Sequence, residues 1–295
     1  MSWFQEYKAS LKLIEVEELL DLIFYRPLAF LFVKAVYKTN LTPNQITSIA
    51  LIVGMIGGVF YFFNTHLAIS IGAILLIIYD VLDCADGMIA RLKKNGTFFG
   101  RVLDGIADYF VTVTVYLGIG FGFVNNSEDP LFYWVLLVLA GASNIIHAAT
   151  VDFYRNKFLD YAFNRDATLG ESLKEFEEES EMLNKSKGKY FQKFVVWIYL
   201  KYSSAQMTAS ADKNSSDIIK YDRDDYLKKN KRILHFWTYL GPTTELTLII
   251  IASFLNRLDL FIWTMVVVGN IYALILFIVQ TQINKRIKLG GSVPE

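Results

Sequence analysis

Four aspartates sit in stretches that otherwise read as lipid-facing helix: Asp83 and Asp86 in one, Asp104 and Asp108 in the next. A charged side chain at the centre of a bilayer costs roughly 2.5–3.5 kcal/mol on insertion scales, so such carboxylates are functional candidates. Their spacing sharpens this. Asp83 and Asp86 are i, i+3 and Asp104 and Asp108 are i, i+4, which puts each pair on one helix face. Two antiparallel helices meeting at those faces bring four carboxylates together, and such a group repels itself unless cations lie between its members. Hard oxygen ligands select Mg2+, Mn2+ or Ca2+. The bland alternative is a scatter of polar residues lining a water-filled cavity, and two matched pairs at one depth argue against it.

Small residues accompany the acids. Gly87 and Ala90 lie one turn apart and leave room for a bulky ligand beside the backbone, and Gly100, four residues before Asp104, does the same on the facing helix. Arg91 is placed to bind a phosphate. The competing readings are close helix packing for the glycines and snorkelling for the arginine. Asp80, one turn before Asp83, reads as a supporting carboxylate rather than a ligand. Cys84, at i+1 from Asp83, points away from the shared face and reads as packing. As the single cysteine, it excludes an intrachain disulfide framework and any zinc site built on cysteines.

The elements that must position these residues follow from composition. Of 295 residues, 54% are hydrophobic and only 20% charged, and the mean hydropathy is +0.34. That balance leans to a membrane protein. With 29 basic and 29 acidic residues there is no basic field to attract nucleic acid. No basic-then-apolar start with a small-residue cleavage site is found, so no removable signal peptide is expected. Stretches of about 20 apolar residues mark spans. They predict six transmembrane helices in an all-α protein, near Asn44–Phe63, Leu67–Ile89, Phe98–Phe123, Leu131–Phe153, Ile233–Leu255 and Leu260–Ile283. Residues 1–42 read as N-terminal interfacial helices broken at Arg26-Pro27, with Pro27 in the first turn of the second. Residues 43–156 hold spans one to four with the aspartates, 157–231 a cytoplasmic insert, 232–285 spans five and six, and 286–295 a tail.

Within the insert, an acidic run (Glu175, Glu177, Glu178, Glu179, Glu181) precedes a basic one (Lys185, Lys187, Lys189, Lys193). Phe194–Leu200 is too short to span and reads as lying flat on the membrane, and 203–216 as loose. The loops between spans one and two and between three and four hold no Lys or Arg, and the loop between five and six holds only Arg257. The positive-inside rule therefore puts both termini, the insert and the aspartates on the cytoplasmic side.

Together the residues read Asp83-x2-Asp86-Gly87-x2-Ala90-Arg91-x8-Gly100-x3-Asp104-x3-Asp108. This resembles, without gap or substitution, the signature of the CDP-alcohol phosphotransferase (CDP-alcohol phosphatidyltransferase) family. Pro43-Asn44-x2-Thr47 is similar to the motif that opens the first span in many members. The long insert is the departure from compact bacterial members. The resemblance implies transfer of a substituted phosphate from a CDP-linked donor to an acceptor hydroxyl, with release of CMP, in an inner-membrane protein of phospholipid biosynthesis. It implies Mg2+ or Mn2+, two ions, on Asp83, Asp86, Asp104 and Asp108, with Asp108 also the general base. Asn44, Thr47, Gly87, Ala90, Arg91 and Gly100 would line the donor pocket.

Donor and acceptor are less legible. CDP-diacylglycerol with a small polyol or polyol phosphate ranks first, and an amino-alcohol phosphotransferase acting on a lipid hydroxyl second. A divalent-cation channel or carrier is the reading from another class; it has no use for the fixed small residues. Lys94, Arg101, His147, Arg155 and Glu245 are the acceptor-pocket candidates, against the bland reading that the basic residues merely obey the positive-inside rule. The family implies a homodimer, for which Gly54-x3-Gly58 and Gly118-x3-Gly122 are possible seats.

Overall fold

The computed structural model describes residues 3–11, 14–163 and 221–289, less the side chains at 98, 99 and 101. Regular structure there is helical, apart from one isolated antiparallel bridge between Tyr221 and Leu289. In chain order the helices are α1 (Trp3–Ser10), α2 (Arg26–Val36), α3 (Pro43–Tyr61), α4 (His66–Lys93), α5 (Phe98–Gly122) and α6 (Pro130–Phe163). After the insert come α7 (Arg223–Trp237), α8 (Pro242–Phe254), α9 (Leu258–Trp263) and α10 (Asn270–Asn284). The charge runs, the flat segment Phe194–Leu200 and the stretch 203–216 lie outside the described residues, as do 290–295 of the tail.

Among the described residues, five helices are long and apolar enough to cross a membrane: α3, α4, α5, α6, and the continuous Leu258–Asn284 in which a π-helical stretch, Thr264–Gly269, joins α9 to α10. Their outer faces carry large exposed apolar side chains, such as Ile49, Ile52 and Ile56 on α3 and Ile271, Leu274 and Ile278 on α10. The predicted span Ile233–Leu255 takes another form. It is cut after a 3-10 turn, Thr238–Leu240, by an extended Gly241 ahead of Pro242, leaving α8 with 13 residues. The physical reason is in the sequence, because a residue before proline is steered away from helical backbone. At 1.5 Å per residue α8 is about 20 Å long, short of the roughly 30 Å hydrocarbon core.

The bundle is organised around α3, which packs against both α4 and α5, while α4 and α5 make little direct contact. Glycine is the reason α3 can sit so close. A Cβ on Gly58 would meet Thr114 and Val115 of α5, and one on Gly118 would run into the Gly58 carbonyl oxygen. A Cβ on Gly122 would meet the Tyr61 carbonyl, and one on Gly57 the Gly72 carbonyl of α4. The pairs expected as a possible dimer seat are thus occupied within the chain, where they bring backbones together. Cap chemistry fixes where the helices start: Thr42 and Gln45 form a capping box ahead of α3, and Thr97 accepts from Gly100 N–H at the start of α5.

The N-terminal segment does more than lie on a surface. Ahead of α2 runs a π-helical turn, Asp21–Tyr25, and Pro27 occupies the first turn of α2 as expected. Ala29, Phe30 and Val33 are fully buried, with α2 packed on α4, while Leu28 and Leu31 on α2 are exposed. At the far end, α6 and α7 are sutured beside the insert. Tyr161 stacks on Tyr226 with ring centroids 4.0 Å apart, and Arg223 donates to the Tyr161 and Ala162 carbonyls at 2.9 and 2.7 Å.

Candidate functional site

Asp83 and Asp86 project from the C-terminal turns of α4, and Asp104 from the first turns of α5. Each offers a carboxylate oxygen, and these three oxygens lie within 4.8 Å of one another. Asp86 is buried, whereas Asp83 and Asp104 are half-buried. α4 and α5 make few close backbone contacts, so the carboxylates come together through their side chains.

Each acid has a dedicated support. The Thr47 hydroxyl, one turn into α3, donates to Asp86, and the Tyr79 hydroxyl on α4 donates to Asp108. Tyr79 is buried, and its ring fits because residue 54 is glycine: a Cβ there would come within 2.9 Å of the Tyr79 ring. Asp108 lies outside the group of three, yet its charge is among those that bear on Asp83, together with Asp104, Asp86 and Asp80. Tyr79 was missed in reading the sequence, although it stands four residues before Asp83 on the same helix face.

The metal expectation is tested by one oxygen. Asp83 Oδ1 is buried and has no hydrogen-bond partner. An unsatisfied buried carboxylate oxygen costs free energy that a divalent cation would recover, and an all-oxygen donor set suits Mg2+ or Mn2+. The residues present fit such an ion.

Around the acids the small residues play different parts. A Cβ on Gly100 would overlap Asn44 Oδ1, so Asn44 and Gly100 bring the starts of α3 and α5 together. Among the described residues, the atoms nearest a Cβ on Gly87 are 3.4 Å away and belong to the Arg91 guanidinium of the same helix. Arg91 Nε in turn donates to the Ser10 carbonyl at the end of α1. Ala90 is half-buried, and beside Asp104 no described atom lies within 4 Å of a Cβ built on Gly105.

The acceptor-pocket candidates occupy separate contacts. His147 on α6 bonds Asn270 at 3.2 Å, and Asn270 also donates to Ser143, tying α6 to the start of α10. Tyr116 on α5 donates to Glu245 on α8. Lys94 is exposed at the left-handed end of α4 (φ 51°), and the Arg101 side chain lies outside the described residues. Arg155 reaches Glu18 at 3.6 Å and Asp152 at 3.3 Å.

Glu18 belongs to a buried group that the sequence reading did not foresee: Glu17, Glu18, Asp21 and Arg26 are all buried. Arg26 pairs with Glu17 at 2.7 Å, and the Glu18 carboxylate accepts from Thr244 N–H at the start of α8. Burial outweighs the pull of Arg155 and pushes the Glu18 carboxyl up to about 8. Within the segment read as interfacial helices, these residues form a charged seam against α4, α6 and α8.

Residues 40–164, the segment that holds all four acids, match the model of the CDP-alcohol phosphatidyltransferase family. Similar curated proteins include a bifunctional IPC transferase and DIPP synthase of Aquifex aeolicus, 37% identical over 70 residues, which are 24% of this chain and 15% of that protein. A protein of the same name from Thermococcus kodakarensis is 26% identical over 130 residues, 44% of this chain and 28% of its own. A CDP-diacylglycerol–glycerol-3-phosphate 3-phosphatidyltransferase of Rickettsia typhi is 35% identical over 66 residues, 22% of this chain and 37% of that one. The matches thus span well under half the length of these relatives.

Proposed function

We propose, because the chain belongs to the CDP-alcohol phosphatidyltransferase family through residues 40–164, that it is a membrane transferase moving a substituted phosphate from a CDP-linked donor to an acceptor hydroxyl. The observation that carries this reading is the convergence of Asp83, Asp86 and Asp104 around a buried, unpartnered oxygen of Asp83. CDP-diacylglycerol is the donor and a small polyol or polyol phosphate the acceptor; the printed name of the Rickettsia relative, with that donor and glycerol 3-phosphate, supports both. The protein acts in phospholipid synthesis, with its site and both termini on the cytoplasmic side, the segment through Gly241-Pro242 and α8 completing a sixth crossing, and the chain paired as a homodimer.

Mg2+ or Mn2+ on Asp83, Asp86 and Asp104, with Asp108 adjoining, supplies charge neutralisation of the pyrophosphate and of the departing oxygen. The chain does the rest. Thr47 fixes the Asp86 carboxylate, and Tyr79 fixes Asp108. Asp108 takes the proton from the acceptor hydroxyl as its oxygen bonds to the transferred phosphorus; the pyrophosphate P–O bond breaks and CMP leaves. A carboxylate of ordinary basicity is a weak base at neutral pH, so positioning carries much of the rate. Gly87, Ala90, Gly100 and Asn44 line the cytidine and phosphate pocket, and Arg91 faces its anionic charge.

The test is CMP release by the purified protein in mixed micelles, with CDP-diacylglycerol, Mg2+ or Mn2+, and a panel of polyols and polyol phosphates. CMP formation abolished by chelator is the expected result. CMP from CDP-choline or CDP-ethanolamine with diacylglycerol, and none from CDP-diacylglycerol, would place the protein with the amino-alcohol transferases. Divalent-cation flux in vesicles without any CMP release would overturn the enzymatic reading altogether.

A further inference from the structure

One turn before the catalytic acids lies a second group of metal-ligating atoms that the reaction does not use. Asp21, from the π-helical turn ahead of α2, meets Asp80 and Cys84 of α4, and the three ligand atoms lie within 4.8 Å of one another. Asp80 and Cys84 are i, i+4 and share a helix face. All three residues are buried. We propose that Asp21, Asp80 and Cys84 form a separate site for a borderline divalent ion of the Zn2+ type.

The state of Asp80 points to a ligand. Asp80 is only 6% exposed, and its Oδ2 is buried with no hydrogen-bond partner. Neither Asp21 nor Asp80 has a salt-bridge partner within 4.0 Å among the described residues; Arg26, whose one ion pair is to Glu17, is a buried cation nearby whose charge bears on both without closing on either. Asp21 Oδ1 receives a hydroxyl hydrogen bond from Thr243 at 3.1 Å and a long thiol contact from Cys84 at 3.8 Å. Two buried carboxylates so close together, one with an unpartnered oxygen, favour a cation between them beyond the charge that Arg26 brings from outside the trio.

The donor set selects the ion. A thiol with two carboxylates is too soft for Mg2+ and matches Zn2+, which takes S and O ligands and accepts water as its fourth. On binding, Cys84 loses its proton to water and ligates as thiolate. Thr243, at the start of α8, orients Asp21 from outside. Such an ion staples the N-terminal segment to α4 one turn before Asp83 and so steadies the catalytic face. Sulfur distinguishes this site from the all-oxygen trio.

Co2+ is the probe, because a thiolate on Co2+ gives a near-ultraviolet charge-transfer band that carboxylates do not. The full-length protein in detergent, stripped with chelator, is titrated with Co2+. The expected result is a band saturating at one ion per chain. It disappears in Cys84→Ser, persists in the Asp83→Asn, Asp86→Asn double variant, and needs about tenfold or more Co2+ in Asp21→Asn. Absence of the band in the unaltered protein at saturating Co2+ overturns the proposal, whether or not the variants fold. So does a band whose Co2+ dependence is unchanged in Asp21→Asn. CMP release is not the readout, so failure here is distinct from failure of the transferase reading.

Discussion

Tyr79→Phe tests whether the support beneath Asp108 matters to turnover. The side chain is 6% exposed, and its hydroxyl donates to the Asp108 carboxylate. Phenylalanine keeps the ring that rests over Gly54, so packing between α3 and α4 is preserved and only the hydrogen bond is removed. A hydrogen bond to a charged group contributes about 1.5–3 kcal/mol. If that energy holds Asp108 where it meets the acceptor proton, losing it slows the chemical step by roughly 10–150-fold, at 1.36 kcal/mol per factor of ten. Affinity for the donor rests on the other acids and should stay within a few-fold. The assay is CMP release at saturating Mg2+, varying donor and acceptor in turn, on a variant whose thermal unfolding in detergent shows it to be folded. A lowered kcat with a steady donor KM is expected. An undiminished kcat would refute the reasoning and mean that Asp108 is oriented by other contacts.

Asp108→Asn should abolish turnover, by about 10²–10⁴-fold for loss of a base, while donor binding survives, whereas Asp83→Asn should weaken both. Equal loss of donor affinity in direct titrations would show Asp108 to be chiefly a metal ligand. Gly118→Ala pushes a methyl into the Gly58 carbonyl, which cannot rotate away, so the unfolding temperature should fall by the equivalent of about 1–3 kcal/mol. Gly105→Ala, with no described atom within 4 Å, should not destabilise at all in the same measurement. Glu18 has a folded-state value near 8 against an ordinary 4.5, so its contribution favours the fold below about pH 4.5 and is lost as pH rises towards about 8. Melting curves of Glu18→Gln should therefore change less between about pH 5 and about pH 8 than those of the parent, and identical pH dependence would count against a buried, neutralised Glu18.

Much of the site was legible because helical spacing is local: i, i+3 and i, i+4 aspartates share faces whatever surrounds them, and the two faces needed only to meet. The apolar lengths likewise marked the long helices, and Pro27 marked the start of α2. What failed depends on partners. Gly54, Gly58, Gly118 and Gly122 announce close backbone approach, but spacing does not say whether the neighbour is the same chain or a second copy. Glu17, Glu18, Asp21 and Arg26 fall in the segment read as interfacial helices, and nothing local shows that Arg155 and Thr244 arrive from distant elements to meet Glu18. The break at Gly241-Pro242 was visible and was overridden by hydropathy, a window average insensitive to a single proline. Tyr79 escaped notice because tyrosine in a membrane helix has so many other reasons to be there.

The suture between α6 and α7 has a consequence for what this chain can tolerate. With Tyr161, Tyr221, Tyr226 and Arg223 holding the two ends together, the backbone is already closed at its base, whatever number of residues leaves at 163 and returns at 221. Closing a longer loop costs only about 0.6 kcal/mol per doubling, and the tyrosine stack offsets that. The segment can therefore lengthen, shorten or exchange its content over generations with little penalty to the bundle. A fluorescent or affinity module could be placed there by the same logic, turning a membrane scaffold into one with an interchangeable soluble face.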